Sequence, residues 1–293
     1  MEAGAPAHPN PPAAAPRASQ RTRSERRLAW MLCAPAVLAM LAVTAYPIGY
    51  AIVLSVQQVD LGFPDEGGFV GLDNYASLLE DDLFWRSVEN NLILLLSVPL
   101  SIVLALTIAA VLYRGVRGAR LYELLIFLPF LPAIASIAVV FLYLLGNGGP
   151  LNELLRGAGL DGLTHAWFVE RETAIWSILG VVLWKRVGFT VLLFMARLAS
   201  IDRSQFDAAA VDGASWMRTY WEVAVPQMRG IIGLAAVLGF VEAFSWTFAY
   251  VAILTRGGPD RSTYTLDFLL YKLQFDEQLV GLGLTDGPRR ALE

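Results

Sequence analysis

Five stretches of the chain stay apolar far longer than their surroundings: residues 28–56, 92–112, 121–145, 173–198 and 230–255. Each is about as long as, or longer than, the ~18–20 apolar residues that cross a hydrocarbon layer as a helix, so each predicts a membrane span. The pattern therefore predicts an all-α membrane protein with five clear spans. The first stretch is too long for the apolar core of a signal peptide and lacks a small-residue cleavage site. It reads as an uncleaved first span, with Pro35 and Pro47 as kinks or ends. Pro99 sits inside the second stretch, and Pro129 and Pro132 sit inside the third. Prolines at that depth free backbone carbonyls, which lipid tolerates only where neighbouring helices or water satisfy them.

The polar segments assign sides. Residues 1–27 are rich in Ala and Pro and then basic, with Arg17, Arg21, Arg23, Arg26 and Arg27. Such a composition builds no core, so it predicts a disordered tail. Its position against a span favours a positive-inside cytoplasmic anchor over a nucleic-acid patch, and no nucleic-acid partner is expected. The segment 57–91 is acidic (Asp60, Asp65, Glu66, Asp73, Glu80, Asp81, Asp82, Glu89 against Arg86) and fits the outer face. Residues 113–120 carry Arg114, Arg117 and Arg120 without an acid and fit the cytoplasm. Residues 146–172 form an external loop in which His165 stands alone as a surface residue. Counting spans then puts residues 199–229 on the cytoplasmic side, although their charges are mixed. The transmembrane domain runs over 28–293.

Charge inside the spans is the next signal. Lys185 and Arg186 lie midway along the fourth stretch, and Glu242 lies in the fifth with Phe244, Trp246, Phe248 and Tyr250. Each buried cation costs about 2.5–3.5 kcal/mol on insertion scales, and neighbours on a helix cannot face one direction, so at least one lines a polar interior. Lys185, Arg186, Glu242 and Trp246 are candidates for a translocation path. Snorkelling, or an interhelical pair with Glu242, is the plainer reading. Overall, 56% of residues are hydrophobic and 16% charged, against roughly 25% charged in soluble domains. The single cysteine, Cys33, excludes a disulfide within the chain and any cysteine-based metal site, and no cofactor is expected. GxxxxGK[ST] and HExxH are absent from the sequence, so the chain is no ATPase and no zinc peptidase.

The longest patterned polar interruption is residues 206–226, FDAAAVDGASWMRTYWEVAVP. Asp202 with Gln205 three residues on predicts a capping box opening a helix over 203–211. Asp212-Gly213 ends it, Ser215 caps a second helix from Trp216 to about Val225, and Pro226 turns the chain again. This compact corner suits docking into a partner's groove.

At these residues the chain resembles the permease subunits of binding-protein-dependent ABC importers. Asp207-Ala208-Ala209, Asp212-Gly213-Ala214, Tyr220 and Pro226 match the spacing of the family's EAA loop, with Asp207 where the family has Glu. FVGLDNYASLL with Phe84-Trp85, Trp184-Lys185, LTRGGP with Ser262-Thr263, and the run from Leu266 through Tyr271 to Phe275 extend the likeness over 28–275, most closely to the first permease of carbohydrate systems. The resemblance implies a type I ABC importer transmembrane domain for a sugar or sugar-like solute. It further implies a cytoplasmic coupling loop over 199–229, a bacterial inner-membrane location, and as partners a second permease subunit, ABC ATPase subunits and an extracytoplasmic solute-binding protein besides the lipid bilayer. The family continues into a sixth span. Here 281–293 reads GLGLTDGPRRALE, and Asp267, Lys272, Asp276 and Glu277 make 266–284 a poor span. The expectation is a missing or truncated sixth span, with Arg289 and Arg290 left outside. The alternative from a different class is an ion- or proton-coupled secondary transporter using Lys185, Arg186 and Glu242 as a relay.

Overall fold

The computed structural model describes residues 23–58 and 68–276, with side chains described from Leu28 to Phe275 within those bounds. Among them the chain is helical, apart from one isolated antiparallel bridge between Gln57 and Phe69. The expectations for the tail up to Arg21, for Asp60, Asp65 and Glu66, and for the truncated end from Glu277 onward lie outside the described residues. The chain divides after Asn74 into two compact units.

In the first unit, α1 (Arg23–Met40) passes through a π-helical turn at Leu41–Ala45 into α2 (Tyr46–Ser55). Leu28–Ser55 is one continuous 28-residue helix, long and apolar enough to span. The wider π turn lies just before Pro47, where a proline would otherwise meet the carbonyl of the preceding turn. None of its residues from Leu28 on is buried within the chain, as expected of a helix bathed in lipid or covered by another chain. Asn74 donates from Nδ2 to the carbonyls of Ser55 and Gln57, at 2.9 and 3.0 Å, and so ties the segment after Phe69 to the end of α2.

The second unit begins within the short α3 (Asp73–Glu80). Asp81 accepts from the amide of Leu83 and caps α4 (Asp82–Leu95), which runs on through Leu96 into α5 (Ser97–Tyr113) as one 32-residue span candidate. The helix thus begins ten residues before the apolar run at 92, because the acidic segment supplies its cap and first turn. The third apolar run is not one helix. α6 (Ala119–Phe127) ends in a 3-10 turn at Leu128–Phe130, and α7 (Ile134–Leu144) leaves at 97°. Pro129 and Pro132 lie at that break, as their missing amides require. α8 (Pro150–Gly157) sits in the following loop, pinned by buried Asn152, which donates to the carbonyls of Gly146, Asn147 and His165 and accepts from Trp167.

α9 (Ala174–Ala199) is an unbroken helix that touches α4, α5, α6, α7's preceding turn and the last spans. Its two halves serve different cores. Ile175, Ile178, Leu179, Val181 and Val182 pack with Leu94, Ile137 and Phe168, whereas Val191, Phe194 and Leu198 pack with Ala105, Leu106 and Ala109. Lys185 and Arg186 lie between the two. α10 (Arg203–Val211), α11 (Trp216–Thr219), a π turn at Tyr220–Ala224 and α12 (Val225–Gln227) build the corner before α13 (Arg229–Ser245). Again the π turn precedes a proline, here Pro226.

The fifth run, expected as one span over 230–255, is two helices: α13 stops at Ser245 and α14 (Phe248–Leu254) starts anew. The cause lies downstream in α15 (Leu266–Tyr271), where the carboxylate of Asp267 accepts from the Thr247 hydroxyl and from the amide of Phe248 and caps α14. Among the described residues, three helices are long and apolar enough to cross a membrane, or five if each of two bent pairs counts as one: Ala119–Phe130 with α7, and Trp216–Gln227 with α13 at 67°.

Candidate functional site

The corner forms as its sequence dictates. Asp202 Oδ1 accepts from the Ser204 amide at 3.0 Å and caps α10, and that backbone hydrogen bond holds its carboxyl below the usual carboxylate range. Gln205 does not close the expected capping box. Its Oε1 instead accepts from Gln227 Nε2 at 2.7 Å, bracing α10 against α12. At the other end the Gly213 amide reaches the Ala210 carbonyl and the Ala214 amide reaches the Ala209 carbonyl, the paired bonds of a Schellman motif, with Gly213 at φ +79°. Ser215 then caps α11 through the Arg218 amide, and Arg218 pairs with Glu222 one turn on, both exposed.

The two arms of the corner close around Tyr113, the last residue of α5. Its ring lies 5.7 Å from Phe206 and 6.0 Å from Trp216, and Trp216 in turn lies 6.3 Å from Tyr220. Tyr220 is fully buried and donates to the Leu106 carbonyl in α5 at 2.8 Å. It is an anchor between corner and span, not a group free to touch a partner. By contrast Asp207, Ala208, Asp212, Gly213 and Pro226 are exposed, Ala209 and Ala214 are half-buried, and Val211 is 88% exposed. Tyr220→Phe removes one hydrogen bond and should lower stability by about 1 kcal/mol, read as a small fall in the thermal midpoint of the detergent-solubilised protein. An unchanged midpoint would show that the aromatic packing alone holds the corner.

A polar layer crosses the span bundle at Lys185 and Arg186, both buried. The Lys185 ammonium donates to the carbonyls of Phe130 and Pro132, at 2.8 and 3.0 Å, and lies 5.1 Å over the Phe130 ring. These are carbonyls at the proline break, so the neighbouring helix that satisfies them is α9. Arg186 turns to another face. Its guanidinium meets the Glu242 carboxylate, the Ser101 hydroxyl at 3.1 Å and the Ala235 carbonyl at 2.9 Å. Glu242 keeps 28% of its side chain exposed, and Trp246, at the end of α13, is 64% exposed. His165, read from sequence as standing alone, has its Nδ1 2.8 Å from the Glu170 carboxylate and its ring against Trp167.

Several contributors went unread in the sequence. Gly239 faces the Arg186 guanidinium so closely that a Cβ would overlap it, and Gly188 faces the Ile126 carbonyl in the same way. Asn91, fully buried, donates to the Ala243 carbonyl at 2.6 Å and accepts from the Leu266 amide at 2.8 Å, while Asn90 donates to the carbonyls of Ser262 and Tyr264. An Asn-Asn pair beside an apolar run was the available signal, since buried amides are kept only with partners.

Comparison with known proteins fits this architecture. Residues 97–275 match the family model described as binding-protein-dependent transport system inner membrane component. The chain is 32% identical over 273 residues to the sn-glycerol-3-phosphate transport system permease protein UgpA of Escherichia coli, covering 91% of this chain and 88% of that one. It is 34% identical over 262 residues to the trehalose transport system permease protein SugA of Mycobacterium tuberculosis, covering 89% and 82%. A bacterial alginate ABC transporter, solved in complex with its alginate pentasaccharide-bound periplasmic protein, superposes with a TM-score of 0.70 over 88% of both chains at 22% identity, a likeness of fold. A family match across more than half of the chain, with relatives aligned over most of their length, settles the assignment: the chain belongs to the inner membrane components of binding-protein-dependent transport systems.

Proposed function

We propose that this chain is one of the membrane subunits of an ATP-driven importer for a sugar or sugar-like solute, energised by a separate ATPase that docks on residues 206–226. The observation that carries the reading is the build of the corner. Its tip presents Asp207, Ala208, Val211 and Asp212 to the surroundings, while its base is fixed to α5 through Tyr220 and the Leu106 carbonyl. A rigid knob on a short lever moves the spans when its partner moves. The relatives' names, sn-glycerol-3-phosphate and trehalose, support a small polyhydroxylated solute. The periplasmic protein bound to the alginate transporter supports an external solute-binding protein as a further partner, beside a second permease. The exposed Arg114 and Arg117 between α5 and α6, with Arg120 in the first turn of α6, support a cytoplasmic side shared with the N-terminus and the corner.

Within the bundle, Glu242 and Trp246 border the path, and Lys185 and Arg186 stand behind them as the groups that hold the helices. The ion-relay alternative has less support, because Lys185 and Arg186 engage separate partners on separate helices.

Gly213→Val tests the corner. A β-branched residue at φ +79° is strained by about 1–2 kcal/mol, enough to re-form the turn and move the tip. Solute uptake should fall steeply while membrane insertion and ATP hydrolysis by the assembled transporter persist. Normal uptake by this variant would remove the corner from the coupling route.

A further inference from the structure

Two neighbouring cations on one turn of α9 are committed to different halves of the bundle. Lys185 reaches the break in the third apolar run, where the Phe130 and Pro132 carbonyls converge on its ammonium. Carbonyls at the end of a half-helix are a site for a cation, and here the cation is part of the adjacent span. The Phe130 ring under the ammonium is itself stacked 4.7 Å from Phe189, one turn further along α9. One face of α9 therefore holds the break with both a charge and a ring. Arg186 grips α13 through Glu242 and the Ala235 carbonyl, and α13 continues directly from the corner through Met228.

This layer also separates the two apolar cores served by the two halves of α9. Packed cores resist continuous deformation and shift as blocks, so the plane between two of them is where blocks move against each other. A hydrophobic residue at position 185 would leave two carbonyls without a donor, and a glutamine amide, with two N–H bonds but no charge and a reach one bond shorter, would hold them less firmly. The ammonium, with three N–H bonds, serves both.

We propose that Lys185 is a positioning residue of the transport cycle: it holds the 97° bend of the third span in register with α13, so that displacement of the corner reaches the break. The proposal rests on the importer reading above. A contiguous chain of contacts is not by itself coupling, and the test therefore reads coupling directly.

The full transporter, with this chain, its companion permease, ATPase and binding protein, is reconstituted in vesicles, and solute uptake and ATP hydrolysis are measured in the same preparation. Lys185→Met should lower solute moved per ATP by at least about tenfold, the population change that losing a hydrogen bond to a charged group produces. Lys185→Gln should fall between, and Lys185→Arg should retain most of the ratio. Spin labels at Tyr122 and Tyr143, exposed on α6 and α7, report the bend after Cys33→Ser. Their separation should shift between nucleotide-free and ATP-trapped transporter, and in Lys185→Met it should broaden and lose that shift.

A ratio that stays constant across the variants, with uptake and hydrolysis falling only in proportion to assembled complex, would overturn the proposal. So would a nucleotide-dependent separation that survives Lys185→Met. If Lys185→Met does not assemble, Lys185→Gln against Lys185→Arg carries the same comparison. Wild-type uptake that needs no ATP would instead defeat the importer reading, a result the Lys185 variants do not influence.

Discussion

Gly188→Ala should destabilise the bundle strongly. The ideal Cβ at 188 overlaps the Ile126 carbonyl and comes within 3.3 Å of the Phe127 Cα, so it meets the backbone of α6 and not the yielding end of a side chain. Membrane helices draw close through small residues because lipid offers no hydrophobic force to press bulkier ones together. One methyl at this point pushes α9 and α6 apart, which overpacking places at about 1–3 kcal/mol or more. The damage spreads, since Lys185 lies one turn back on the same face and reaches Phe130 just beyond α6. The expected result is a large drop in the thermal midpoint of the solubilised protein, with most material lost from the monodisperse peak. A midpoint near that of the parent would show that α6 and α9 do not approach this closely in the membrane.

Glu242→Ala is the second large effect. It leaves Arg186, 6% exposed, with the Ser101 hydroxyl and the Ala235 carbonyl but without its counter-ion. Removing one member of a buried pair costs about 3–5 kcal/mol, mainly because the survivor keeps its charge in a place that hydrates it poorly. Arg186→Met with Glu242→Leu removes both charges together and should recover most of that loss in the same thermal measurement. If the double variant is as unstable as Glu242→Ala, the pair is not what the guanidinium requires. Uptake separates stability from transport, because a recovered fold without recovered uptake gives the Arg186–Glu242 pair a share in transport beyond holding the helices.

Local rules decided what was legible in the sequence. The corner was readable because each step depends on neighbours within four residues: Asp202 and Ser215 as caps, Gly213 at the turn, Pro226 beyond. The apolar runs were readable as membrane segments for the same reason. Where a helix ends because of something distant, the sequence was silent. The break between α13 and α14 is held by Asp267, which caps the new start at Phe248, and the sequence marks that residue only as a defect in a span. Gln205 looked like half of a capping box and went to Gln227 instead, a tertiary partner that no spacing rule contains. The charged layer was half legible. The need for partners follows from depth, and Glu242 is an ionisable partner that the fifth apolar run offers, but the carbonyls of Phe130 and Pro132 carry no side-chain signature. Gly188 and Gly239 were invisible, since a glycine in an apolar run declares nothing until the atom opposite it is known.

The proline break in the third span has a consequence for how the chain is made. Its Phe130 carbonyl is answered by a residue 55 positions later. At about 5–20 residues per second, ribosomes take roughly 3–11 s to deliver that residue. Through this interval the bent segment leaves the translocation machinery, or waits beside it, with carbonyls that lipid cannot satisfy. The third and fourth spans are thus expected to enter the bilayer as a pair, the earlier one retained at the exit until its lysine arrives.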